Sequence, residues 1–294
     1  MSLLDTHYHL DFLGGFDIQR AFLDRLWVRD VSIIAQTMTP TGFRTGLDSW
    51  LDVDDAESGL GSVHRWSLGL HPWEITSEQV ADEHLAVFAN QVERTRFIGE
   101  IGLDFSPRRL EVANAAFQRS VLADVLQLVM GAARDVSPAE PYVLSIHAVR
   151  SAGAVLSLLA ELGGCGQTAV PVFHWFSGTS QELTALVRLG GYVSVNPRML
   201  ESKRGRAYIR QVPADRLLLE SDLPSEPIIA HQNTTENSHV TGANTVTEAN
   251  AVVLGRKHAD ELAESLRSTL AHISSLRECD MTAQVMANQA RLYQ

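Results

Sequence analysis

Apolar runs of strand length alternate with amphipathic stretches of helical length along most of the chain, and that alternation leaves few folds open. Strands are expected over residues 3–10, 31–35, 66–70, 96–105, 142–147, 169–176, 192–195 and 217–222. Helices are expected over 18–30, 41–51, 78–94, 111–134, 151–162, 180–189 and 202–212, with Ser77 capping the third. Repeated strand–helix units predict right-handed crossovers and a parallel sheet. Eight of them predict an α/β fold of one kind, a single-domain (β/α)8 TIM barrel over residues 1–294. The acidic segment 52–61 and the polar segment 225–250 are expected as loops, and residues 251–292 as helical.

In such a barrel, functional groups collect at the C-terminal ends of the strands. The first strand ends in Asp5-Thr6-His7-Tyr8-His9. Alternation puts Asp5, His7 and His9 on one face, and two neutral imidazoles there can share a metal ion. On this stretch alone, one core histidine beside one exposed histidine is an equally good account. Partners elsewhere decide it. His71 follows the third strand, His147 ends the fifth and His174 lies late in the sixth. Glu100 interrupts the apolar fourth strand and Asp222 ends the eighth. A carboxylate in that setting is expensive unless paired or metal-bound. Each alone suits a structural role, but His7, His9, His147, His174, Glu100 and Asp222 converging on one mouth points to a metal centre at the C-terminal ends of the strands.

Size and charge narrow the partners. A chain of 294 residues buries enough surface to fold without disulfides. Cys165 and Cys279 are far apart with no ligand spacing, as expected of free thiols in a reducing compartment. No leader-like segment or membrane span is apparent, so a soluble, cytoplasmic protein is expected. A net charge of -11 argues against a broad basic nucleic-acid surface. It still permits phosphate chemistry where metal ions supply the local positive charge.

The motifs together resemble the TatD family of metal-dependent hydrolases (deoxyribonucleases) in the amidohydrolase superfamily. The resemblance is carried by Asp5-Thr6-His7-Tyr8-His9-Leu10-Asp11, Gly69-Leu70-His71-Pro72, Ile98-Gly99-Glu100-Ile101-Gly102-Leu103-Asp104-Phe105, Phe117-Gln118, Ile146-His147, Phe173-His174-Trp175-Phe176-Ser177-Gly178, Leu218-Leu219-Glu220-Ser221-Asp222-Leu223-Pro224 and Asn288-Gln289-Ala290-Arg291-Leu292-Tyr293. It implies two divalent ions, with Zn, Mn or Mg the options. His7, His9 and Asp222 would hold one, His147 and His174 the other, and Glu100 would bridge. Asp222 would act as general base, making Asp222 and Glu100 the catalytic carboxylates. His71 would contact substrate phosphate or serve loop packing. Asp5, Asp104 and Glu220 suit supporting roles, and Trp73 and Trp175 either stack on bases or pack in the core. Arg108, Arg109, Arg150, Lys203 and Arg204 are either local phosphate helpers or ordinary surface charges. The implied reaction is phosphodiester hydrolysis at DNA ends or of a small phosphodiester, without membrane association. The alternative is a two-metal amidohydrolase acting on a small amide or lactone. Three departures from the family pattern border the pocket: Ala148-Val149-Arg150 after His147, Trp175 where the family usually has Cys, and the segment 225–250.

Overall fold

The computed structural model describes residues 3–50, 63–135, 137, 140–163, 168–228 and 248–294. In chain order it runs β1 (Leu3–Tyr8), α1 (Phe16–Arg29), β2 (Val31–Ala35), α2 (Pro40–Trp50), β3 (His64–Trp66), β4 (Leu68–Leu70), α3 (Glu78–Gln91), β5 (Phe97–Asp104), α4 (Pro107–Leu110), α5 (Ala115–Ala132), β6 (Tyr142–Val149) and α6 (Ala152–Leu162). It continues with β7 (Ala169–His174), α7 (Ser180–Arg188), β8 (Tyr192–Val195), α8 (Pro197–Glu201), α9 (Lys203–Gln211), β9 (Leu217–Leu219), α10 (Glu248–Arg277) and α11 (Thr282–Tyr293). Every strand pair is parallel, in the orders β1-β2-β3 and β4-β5-β6-β7-β8-β9. The two sheets are one barrel. Ser67 N–H donates to Ala35 O at 2.9 Å at one seam, and Asp222 N–H to His7 O at 3.1 Å and His9 N–H to Leu223 O at 2.8 Å at the other.

The third expected strand is broken into β3 and β4 around Ser67. Gly69 explains the tight crossing there, since a Cβ on it would lie 1.7 Å from Thr37 O. The helix expected from 111 is instead the short α4 followed by α5, because Asn114 accepts from Phe117 N–H and caps a new start. The last strand is shorter than expected, ending at Leu219. The loop expected over 52–61 lies outside the described residues, as do residues 229–247 of the expected loop over 225–250, whose end at Glu248 already belongs to α10.

One apolar cluster fills the barrel floor. It takes Leu4, Ile34, Phe97, Val143, Val170, Tyr192 and Leu218 from seven strands and is plugged from below by Leu292 and Tyr293 of α11. These residues set the inward parity of each strand. On β6 and β7 that parity carries upward by twos to His147 and His174, whereas Asp222 lies beyond the end of β9. On β1 and β5 it would turn His7 and Glu100 outward. The ladder slips between Asp5 and Tyr8 and between Ile98 and Ile101, so both point inward instead. The remaining apolar side chains form the outer core between strands and helices, including Phe22 of α1 against Ala259 and Leu262 of α10.

Helix α11 also carries polar anchors. Buried Asn288 donates through Nδ2 to Ala214 O at 2.8 Å and Leu217 O at 2.9 Å, and Gln289 brackets Leu4 through both of its backbone groups. Asn288→Ala is expected to cost about 2 kcal/mol by leaving a buried carbonyl without a donor. A urea titration would read this as a lower midpoint at unchanged slope.

Candidate metal centre

Five imidazoles face one buried carboxylate. Glu100 Oε1 lies 2.7 Å from His147 Nδ1, 2.9 Å from His174 Nε2 and 3.4 Å from His71 Nε2. Its Oε2 lies 3.2 Å from His7 Nε2 and 3.7 Å from His9 Nε2. Asp222 Oδ1 completes the near side, 3.9 Å from His7 Nε2 and 3.8 Å from His9 Nε2. Asp222 is the more open of the two acids, with a fifth of its side chain exposed against 4% for Glu100. The backbone at Asp222 is left-handed, φ 58°, which turns its carboxylate back over the barrel mouth.

Electrostatics at this site favour the ligand forms of His7, Glu100 and Asp222 but hold a proton on His147. Burial pushes His7 and His71 down to about 4, so both are neutral near pH 7. Burial would raise Glu100, but His71, His174 and His7, with the hydrogen bond from His147, hold it well below the ordinary range. Asp222 is likewise lowered, because its bond with His9 and the charges of His174 and His7 outweigh its burial. Burial alone would depress His147, yet hydrogen bonds to Asp104 and Glu100 raise it to about 9.

These donors fit divalent ions. His7 Nε2 is buried and has no hydrogen bond despite its proximity to Glu100, whereas its Nδ1 is held by Ser145 Oγ at 2.9 Å. Nε2 is thus the ring atom left facing the cluster without a hydrogen bond. His7–His9–Asp222, His7–Glu100–His174 and His71–Glu100–His147 each bring ligand atoms within 4.8 Å of one another. That spacing suits bonds of about 2.0–2.3 Å to a common centre. His71 differs from the rest. Its Nδ1 accepts from Trp73 N–H at 3.1 Å, so its neutral ring carries the proton on Nε2, where a ligand would need a lone pair. The structure thus brings all six expected ligands together and sets His71 beside them as a hydrogen-bond donor.

Three supports surround the cluster. Asp104 Oδ2 lies 3.4 Å from His147 Nε2 and accepts from Trp73 Nε1 at 2.7 Å. Glu220 Oε1 lies 3.9 Å from His174 Nδ1 and accepts from Trp175 N–H at 3.0 Å. Asp5 faces backbone rather than the cluster, accepting from His7 N–H, Ser221 N–H and Ser221 Oγ. Burial raises its carboxyl to about 7. Ser145 is the residue that sequence reasoning missed, although it sits two positions before His147 on the same face of β6. The five suggested basic helpers are absent from the cavity lining among the described residues. Arg109 is buried against Ile75 O, and Arg204 is engaged on Gly178 O.

Two measurements probe this shell. Asp104→Asn is expected to weaken metal affinity by about 10–100-fold, read by chelator competition. In chelator-treated protein, His147 has a folded pKa of about 9, above its usual 6.5. Its pairing therefore stabilises the fold fully below pH 6.5 and is lost as pH rises through about 9. The melting temperature of the stripped protein should fall across that window. Metal affinity should rise across it, because the proton on His147 must leave.

Comparison with known proteins gives the family and the fold. Residues 4–294 match the model of a family described as TatD related DNase. The 3'-5' ssDNA/RNA exonuclease TatD of Pectobacterium parmentieri is 32% identical over 174 residues, covering 54% of this chain and 58% of that protein. Deoxyribonuclease TATDN3 of Homo sapiens is 31% identical over 169 residues, covering 54% and 57%. The chain thus spans just over half the length of these curated relatives. The solved structure of YJJV, a TatD homologue from Escherichia coli, superposes with a TM-score of 0.61 at 24% identity, covering 92% of this chain and 97% of that one. An uncharacterized amidohydrolase from Saccharomyces cerevisiae gives 0.67 at 17% identity over the full length of both. These two likenesses establish the fold.

Proposed function

The chain belongs to the TatD-related DNase family, and on that premise we propose that it is a metal-dependent phosphodiesterase acting on single-stranded DNA ends. The whole chain is read as one barrel domain serving one site. The observation that carries this reading is the buried Glu100 carboxylate ringed by imidazoles, with His7 Nε2 beside it left without a hydrogen bond.

His7, His9 and Asp222 would hold one divalent ion, and His147 and His174, whose ring nitrogens lie 2.7 and 2.9 Å from Glu100 Oε1, would hold a second, with Glu100 shared. When bound, the ions would supply positive charge to the phosphoryl oxygens and acidify an attacking water. Asp222, kept ionised and the more open of the two acids, accepts the proton of that water at its carboxylate. His71 donates its Nε2 proton toward a phosphate oxygen at the mouth. Glu220 and Asp104 hold the rings of His174 and His147 in their working orientations. Among the described residues, no helix is long and apolar enough to cross a membrane.

The deciding experiment is turnover by purified protein reconstituted with Mg, Mn or Zn. The panel is a labelled single-stranded oligonucleotide, a model phosphodiester, and a small set of amides and lactones. Metal-dependent release from the first two is expected. Turnover confined to amides or lactones would reassign the reaction.

A further inference from the structure

We propose that Trp73 and Trp175 are the nucleobase contacts of this site, each stacking on one of the bases that flank the scissile phosphate, so that single-stranded ends are held by their bases rather than by their charge. The inference rests on the phosphodiesterase reading and adds to it the part of the substrate that gives affinity.

Both indoles line the cavity of about 470 Å³ above the metal centre. They come from different sides of it. Trp73 follows β4 and Trp175 follows β7, with β5 and β6 between them carrying Glu100 and His147. A phosphate held over Glu100 therefore has one indole on each flank. Trp73 is half exposed, yet its ring is fixed, because Nε1 donates to Asp104 Oδ2 at 2.7 Å. Its polar edge is spent on the protein, and the residue lines the cavity. Trp175 has a left-handed backbone, φ 41°, which is uncommon for a bulky residue. Its backbone N–H donates to Glu220 Oε1 at 3.0 Å, its ring packs partly against the apolar core, and the Arg198 guanidinium lies over the ring at 5.1 Å from its centroid. Rings held this way lose little freedom on binding a base.

The rest of the lining agrees. Phe12, Met38 and Val149 are apolar, and no Lys or Arg lines the cavity among the described residues. On a chain of net charge -11, nothing there offers the row of cations that backbone-driven binding requires. Flat aromatic faces serve bases of any sequence.

The test compares kcat/KM of the metal-loaded protein on a single-stranded oligonucleotide and on the same strand with abasic sites at its last two nucleotides. Assays run at 50 and 200 mM salt, with wild type, Trp175→Ala and Trp175→Phe. Wild type is expected to prefer the intact strand by about tenfold or more, and salt to change its rate by no more than about threefold, as for a single phosphate contact. Trp175→Ala should shrink the base preference, and Trp175→Phe should keep most of it. Equal turnover of intact and abasic strands by wild type overturns the base contacts and leaves the phosphodiesterase standing. So does a folded Trp175→Ala protein with its preference undiminished. Hydrolysis of neither strand removes the phosphodiesterase and the contacts with it.

Discussion

Asp222→Asn is expected to fold, to load metal weakly or normally, and to lose about 10²–10⁴-fold in hydrolysis, the usual cost of a missing general base. The amide keeps the size of the side chain, and Asn tolerates the left-handed backbone found at this position. Asp222 N–H still bonds His7 O, so the seam between first and last strands is preserved. What is lost is an acceptor for the proton of the attacking water. The measurement is kcat on the model phosphodiester, with metal content and circular dichroism recorded on the same sample. A folded, metal-loaded variant with a near wild-type rate would remove Asp222 from the proton-accepting role.

Glu100→Gln has the larger expected effect on metal content. Glu100 is the carboxylate that His7, His9, His71, His147 and His174 all face within 3.7 Å. The amide is nearly isosteric but carries no charge, and one of its two ends offers N–H rather than a lone pair. At least one ion per chain should be lost on dialysis, by elemental analysis. Hydrolysis should fall on the order of 10³-fold or more, since a catalytic metal is worth several kcal/mol of charge stabilisation. A variant that retains full metal content and turnover would show that the two halves of the cluster do not share this side chain.

Strand–helix alternation is a long-range pattern, so the barrel is legible in the chain itself. The places where that reading needs revision share a physical cause. Period-two alternation from the barrel floor leads correctly to His147 and His174, because β6 and β7 carry their inward parity up to the mouth. It fails for His7 and Glu100, where the ladder slips by a residue and reverses the facing of the residues beyond the slip. A slip leaves no mark in composition or periodicity. His7 is placed by its pairing with His9, and Glu100 by the cost of a charge among apolar neighbours. The supports are the least legible, because a contact such as Trp73 to Asp104 joins separate strand ends, and only the closed barrel brings these together. The late start of α5 is a local matter, since the Asn114 side chain accepts from Phe117 N–H and caps the helix there.

The bracket of Gln289 around Leu4 spans 285 residues and acts on the strand that carries His7 and His9. Synthesis at ~5–20 residues per second separates the two partners by roughly 15–60 s. During that interval the first strand has no neighbour on its β9 side and no plug beneath it. The contacts that close the ring are the most distant in the chain, and distant contacts form late. Final seating of the strand that carries His7 and His9 therefore waits for α11, so the candidate metal centre is among the last parts of the fold to be completed.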